Sequence, residues 1–155
     1  MDNDYSTGGV VAAIIAFYAA FFFVFAVIWI GYYVLMGFAL MSFFRKVGVE
    51  PWAAWVPVYN IWKLLEVSGQ QGWFALLALV PYGSIVTTVF VAIGMYRIDR
   101  AFGKEPAFVV LGIFLPFIWA FILGSQNEVY RPEVFAQSGW PPPLAGFGAA
   151  PRPAA

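Results

Sequence analysis

The chain has 155 residues with no formal net charge at pH 7, and 63% of them are hydrophobic against 10% charged. Soluble domains run at about 45–50% apolar and about 25% charged, so this surplus is too large and too continuous for one soluble core, and bilayer hydrocarbon is its expected solvent. Zero net charge without a block of like charge excludes a phosphate-neutralising nucleic-acid interface. The absence of cysteine and histidine excludes disulfides, thiolate or imidazole metal ligands and a histidine general base, and no cofactor is expected.

Residues 1–9, "MDNDYSTGG", form a short acidic tail with two aspartates and no basic residue. The apolar run behind it far exceeds a signal-peptide core, so no cleaved signal is expected. Val10 to Phe44 carries no charge. As one helix at ~1.5 Å per residue it measures about 50 Å, against a hydrocarbon core of ~30 Å, and must tilt, bend or project. Gly31 and Gly37 are its candidate flex points, and Arg45 and Lys46 give it a basic end that can snorkel to headgroups. Ala12, Ala16 and Ala20 recur at every fourth position, a spacing that lets helix backbones approach closely in lipid; Ala120 and Gly124 repeat it later.

Three further apolar stretches follow. Trp52 to Val67 is short for a crossing and contains Pro57, while Asn60, Lys63 and Glu66 give it one polar flank, as an interfacial or re-entrant segment would have. Trp73 to Ile98 is interrupted by Pro81 and Gly83, and Ala107 to Gly124 contains Pro116. In lipid such prolines read as kinks rather than helix ends, because neighbouring helices re-satisfy the freed carbonyls. If the second stretch crosses, Arg45/Lys46 and Arg97/Arg100/Lys104 share one face, and the positive-inside rule makes that face cytoplasmic. The expected architecture is an all-α, four-span membrane protein (10–44, 52–67, 73–98, 107–124) with both termini outside the cytoplasm.

A punctuation recurs: "GVEPW" from Gly48, "GQQGW" from Gly69 and "GKEPAF" from Gly103 each pair a glycine with Pro or Gly three residues on, then an aromatic residue. The mechanical reading is a tight turn that delivers the chain to a helix start. The alternative is a broken-helix transporter repeat, which the irregular intervals disfavour. Residues 125–155 are rich in Pro, Gly and Ala and read as a disordered or polyproline-like tail. Tyr130, Phe135, Trp140 and Phe147 punctuate that tail, by chance or as anchors.

At "KVGVEPWAAWVPVYNIWKLLEV", "GWFALLALVP" and "AFGKEPAFVVLGIFLPFIWAFILG" the chain resembles a family of small bacterial integral-membrane proteins of unassigned function. Actinobacterial members of that family often carry the label "large exoprotein", and elsewhere a similar domain sits beside a signal-peptidase-I-like domain. The resemblance covers roughly residues 43–130. Its most specific pieces are Pro57-Val58-Tyr59-Asn60, Ala101-Phe102-Gly103-Lys104 and Leu115-Pro116-Phe117-Ile118. It implies a multi-spanning protein of the bacterial plasma membrane and no activity.

Residue chemistry agrees with that silence. A serine–lysine hydrolase needs a serine beside a desolvated lysine, and Lys46, Lys63 and Lys104 all fall near expected interfaces. An intramembrane aspartyl protease needs two buried aspartates, and only Asp2, Asp4 and Asp99 exist. Lys63 and Glu66, spaced i, i+3, read as a structural pair. Asn60 reads as a tie across the kink made by Pro57, and the hydroxyls of Ser84, Thr87 and Thr88 read as bonded to their own helix or to a neighbouring one rather than lining a polar path. The reading is a non-enzymatic accessory or assembly subunit that packs in the bilayer against another membrane protein. The alternatives are a homo-oligomeric channel or transporter and an adaptor for protein processing.

Overall fold

A computed structural model of the chain describes residues 3–149 and 151, with side chains from Thr7 onward. The described residues form helices and no strand. The chain divides into two compact units, Met1–Leu35 and Met36–Ala155.

Helix α1 (Asn3–Val47) ends on the basic pair Arg45 and Lys46. Of the expected acidic tail, Met1 and Asp2 lie outside the described residues, and Asn3 to Gly9 are already helical. Every residue from Thr7 to Leu35 is exposed, large apolar side chains included. Among the described residues only α1 is long and apolar enough to cross a membrane, with a stretch of mean hydropathy 2.8. Gly31 and Gly37 interrupt nothing. Gly37 instead makes room for an aromatic ring, since a Cβ there would lie 2.7 Å from Trp55.

The second unit is built around the last turns of α1. Ala39, Phe43, Phe44 and Val47 are fully buried on one face, the i, i+4, i+5, i+8 stripe of a core-facing helix. Against them lie Leu64 and Val67 of α2 (Tyr59–Val67), Ile98 of α3 (Gly83–Ala101), and Trp119, Ala120 and Leu123 of α5 (Pro116–Leu123). The Phe43 ring sits 5.3 Å from Trp119 and 6.2 Å from Phe102. Each of the buried Phe, Leu, Ile and Val side chains contributes roughly 1.5–3 kcal/mol of transfer free energy.

The glycine punctuation explains how these helices are joined. Gly48, Gly69 and Gly103 follow α1, α2 and α3 with φ of +81°, +76° and +72°. In each turn the next residue reaches back five positions: Val49 N–H donates to Phe44 O at 2.9 Å, Gln70 to Leu65 at 2.9 Å and Lys104 to Asp99 at 2.8 Å. These are Schellman closures, which an L side chain at the glycine would strain. After each turn comes a 3₁₀ helix, Pro51–Trp55, Gly72–Leu79 or Pro106–Phe108, two of them opened by proline. The third runs directly into α4 (Val109–Phe114).

Here the four-span expectation fails. The stretch 52–67 is not one helix, because it turns at Pro57 between the first 3₁₀ helix and α2. At ~1.5 Å per residue the 9 residues of α2 reach about 14 Å, under half the hydrocarbon core. The stretch 73–98 is divided at Val80–Tyr82, and 107–124 is divided at Leu115, where φ is −133° and ψ is 63°. Pro57, Pro81 and Pro116 therefore end elements instead of kinking them. At Leu115 the reason is steric, because the residue before a proline is driven out of helical geometry. At the other two, the residue after proline is left-handed: Val58 has φ 65° and Tyr82 φ 63°.

The described part of the tail, residues 125–149, is also tied to the helices. Arg131 N–H donates to Ala101 O at 2.9 Å, Leu144 to Glu66 at 2.7 Å and Phe147 to Val47 at 2.8 Å. Helix C-termini leave carbonyls without intrahelical partners, and an irregular segment has N–H groups to give them. The tail thus crosses the ends of α3, α2 and α1 in turn. Its short helix α6 (Glu133–Gln137) buries Phe135 at 1% exposure, and Trp140 stands edge-on to Phe135 and Tyr96 with Arg97 over its ring. Of the four aromatic residues in the tail, Tyr130 packs on Phe102 and Phe147 lies over Gly48. Residues 150 and 152–155 lie outside the described residues. This path brings residues 131–147 to the ends of α3, α2 and α1, two of which carry the basic residues Arg100, Arg45 and Lys46.

Candidate functional site

The starts of α2 and α3, the α4–α5 break and one face of α1 enclose a cleft of about 410 Å³, within the size range of small-molecule sites. Its walls are Met36 and Leu40 of α1, Ile61 and Leu64 of α2, Val91, Ala92 and Met95 of α3, and Gly112, Ile113 and Pro116 across the break. Ala78 of the second 3₁₀ helix completes it. Four of the six polar residues singled out from the sequence converge here: Asn60, Ser84, Thr87 and Thr88.

Two of these groups, the threonine hydroxyls, are spent on the chain itself. The Thr87 hydroxyl lies 3.0 Å from Phe74 O and 3.2 Å from Gly83 O, and Thr88 Oγ1 donates to Ser84 O at 2.8 Å. Asn60 Nδ2 reaches Ala54 O at 3.5 Å, a long contact that spans the Pro57 turn. No Asp, Glu, Lys or Arg lines the cleft. The turn at its rim is strained: Tyr59 N–H donates to Pro57 O at 2.7 Å around Val58, whose φ and ψ are 65° and −44°. That is the rare γ-turn form, and it is costly for a β-branched residue.

Lys63 and Glu66 lie outside the cleft. Lys63 Nζ and Glu66 Oε2 pair at 2.8 Å, Trp62 Nε1 donates to Glu66 Oε1 at 2.8 Å, and Lys63 stands over the Tyr59 ring. The small residues separate into two groups. Ala120 is fully buried, and a Cβ on Gly124 would lie 2.7 Å from the Phe43 backbone nitrogen. Ala12, Ala16 and Ala20 are exposed.

Sequence reasoning missed Asp99. It is fully buried, and its Oδ1 accepts a 2.6 Å hydrogen bond from Trp119 Nε1 while its Oδ2 has no partner among the described residues. Burial raises its pKa to about 7, against the opposing pull of the Trp119 bond and the Lys104 charge. The signal was its register: Met95 and Phe102, at i−4 and i+3, are both core residues. A second polar cluster also went unread. Gln70 Nε2 lies 2.9 Å from Ser68 Oγ and donates to Phe90 O at 2.8 Å, and Arg97 reaches Ser68 O at 3.3 Å. Gly94 leaves the room for it, since a Cβ there would lie 2.9 Å from both Gln70 Nε2 and Ser68 Oγ.

Fold and site together define an all-helical protein with one membrane-length helix and a helical unit that holds an uncharged, mainly apolar cleft. Residues 52–131, just over half of the chain, match the model of a family of unknown function, DUF5684, and the chain belongs to that family. The match covers α2 to α5 and the start of the tail, and so nearly the whole cleft. No curated protein and no solved structure matches the chain.

Proposed function

We propose that this protein is a non-enzymatic accessory or assembly subunit of a bacterial plasma membrane, held by α1 and packed there against another membrane protein. The observation that carries this reading is the exposure of α1 from Thr7 to Leu35, a run of large apolar side chains. Its uncharged part, Val10–Leu35, measures about 39 Å at ~1.5 Å per residue. That is longer than a ~30 Å core unless the helix tilts by about 40°. Its exposed Phe, Tyr and Trp side chains offer a surface that a partner helix would cover. Ala12, Ala16 and Ala20 supply a face on which a second helix can approach closely.

The basic residues at the ends of α1 and α3 support a cytoplasmic position for that end of the second unit and an external N-terminus. A channel draws less support, because the cleft hydroxyls of Thr87 and Thr88 already meet carbonyls. The test is Ala16→Ile in the full chain expressed in its native membrane. The substitution is expected to leave insertion intact and to remove a stoichiometric membrane-protein partner from the mildly extracted complex. Unchanged co-purification would refute this face, and a homogeneous assembly of the chain with itself would refute the accessory role.

A further inference from the structure

We infer that the cleft holds one acyl chain of a phospholipid from the leaflet on the basic side of the membrane. The inference rests on the membrane placement proposed above and not on the existence of a protein partner. Three observations carry it.

The first is depth. Met36 and Leu40, on one wall, precede Arg45 by nine and five residues on the same helix, about 14 and 8 Å at ~1.5 Å per residue. With Arg45 and Lys46 at the headgroups, those walls lie within the first half of a ~30 Å hydrocarbon core.

The second is continuity. The walls run outward into side chains that water does not tolerate as a patch. Ile113 and Pro116 lead to Phe114 at 77% exposure, and Ala78 and Ser84 lead to Leu79, Val80, Tyr82 and Ile85, with Tyr82 at 86%. The medium at the mouth is then hydrocarbon, and the chain nearest at hand is an acyl tail.

The third is charge. The lining carries no ionisable group, and the hydroxyls of Thr87 and Thr88 are occupied by carbonyls. An alkyl occupant strands neither threonine hydroxyl, and an ionic one finds no counter-charge in the lining. The wall at Gly112 is closely packed, since a Cβ there would lie 2.9 Å from Met95 Sδ and 3.1 Å from Trp119.

The test uses the full-length protein in phosphatidylcholine vesicles that contain a small fraction of phosphatidylcholine with a diazirine midway along one acyl chain. After irradiation, adducts are mapped by peptide mass spectrometry. Adducts are expected on α1 and, in addition, on the cleft residues Ala92, Met95 and Ile113. Ala92→Phe fills the slot from α3, and Ala78→Phe fills it from the 3₁₀ helix. Either variant should lower the cleft adducts about tenfold, the loss of roughly two methylenes of contact, with labelling of α1 before Met36 and far-ultraviolet circular dichroism unchanged. Labelling of α1 and the outer tips with equal cleft yield in both filled variants would overturn the inference while leaving the membrane placement standing. Absence of label on α1 would overturn both.

Discussion

Asp99 supplies the sharpest quantitative prediction. An unfolded chain ionises this carboxyl near 3.8, whereas the folded protein holds the proton until about pH 7, principally because burial penalises the charge. Between those values the folded state binds more protons than the unfolded state, so stability falls as pH rises through the window and levels off above it. The gap corresponds to about 4 kcal/mol at full extent. Trp119 and Lys104 act on the carboxyl, and both already oppose the rise. Asp99→Asn keeps an oxygen to accept the Trp119 N–H and removes the titration. Denaturant unfolding in detergent micelles, followed by circular dichroism from pH 4 to pH 8, should show the natural protein losing stability across that range. The variant should match it within about 1 kcal/mol at pH 4 and exceed it by up to about 4 kcal/mol at pH 8. Parallel curves for the two proteins would refute the buried-acid reasoning, as would the absence in the natural protein at pH 5 of a protonated-carboxyl infrared band that Asp99→Asn removes.

Further predictions concern the turns and the tail. Val58→Gly relieves a left-handed β-branched residue and should stabilise the protein by about 1 kcal/mol, read as a raised unfolding midpoint, with destabilisation as the contrary result. Phe135→Ala empties a fully buried site and should cost about 3–5 kcal/mol, with faster proteolysis in the tail; a change under about 1 kcal/mol would mean the tail is not docked in solution. Topology reporters inserted after Gly69 and after Lys104 should report the same side, because both turns meet the tail. Opposite sides would restore a crossing between them and remove the present reading of residues 70–103.

How much was legible depended on whether the governing partner was near in sequence. The turn function of Gly48, Gly69 and Gly103 could be read because a Schellman closure is local: the glycine, the reach back over five positions and the Pro or Gly three residues on all fall in one window. The grouping of Asn60, Ser84, Thr87 and Thr88 could be read as a list of polar residues in apolar surroundings, but not as one cleft. The breaks at Pro57, Pro81 and Pro116 were misread because hydropathy has no direction. A run of apolar residues scores alike whether it crosses once or enters and returns, and the left-handed residues Val58 and Tyr82 are types that rarely adopt that geometry. The tail was misread for a related reason. Its Pro, Gly and Ala content matches that of disordered segments, yet Leu144 and Phe147 find their acceptors at Glu66 and Val47, far away in the chain. Asp99 escaped because "YRIDRAF" looks like a solvated charged end, and only the register of Met95 and Phe102 turns it inward.

The accessory role is tested most directly at the exposed face of α1. A photo-crosslinking amino acid in place of Ala16, irradiated in intact native membranes, should give a discrete adduct of this chain with a different membrane protein, and a crosslinker in place of Lys104 should not. Adducts with lipid alone, or with a second copy of the same chain, would contradict it.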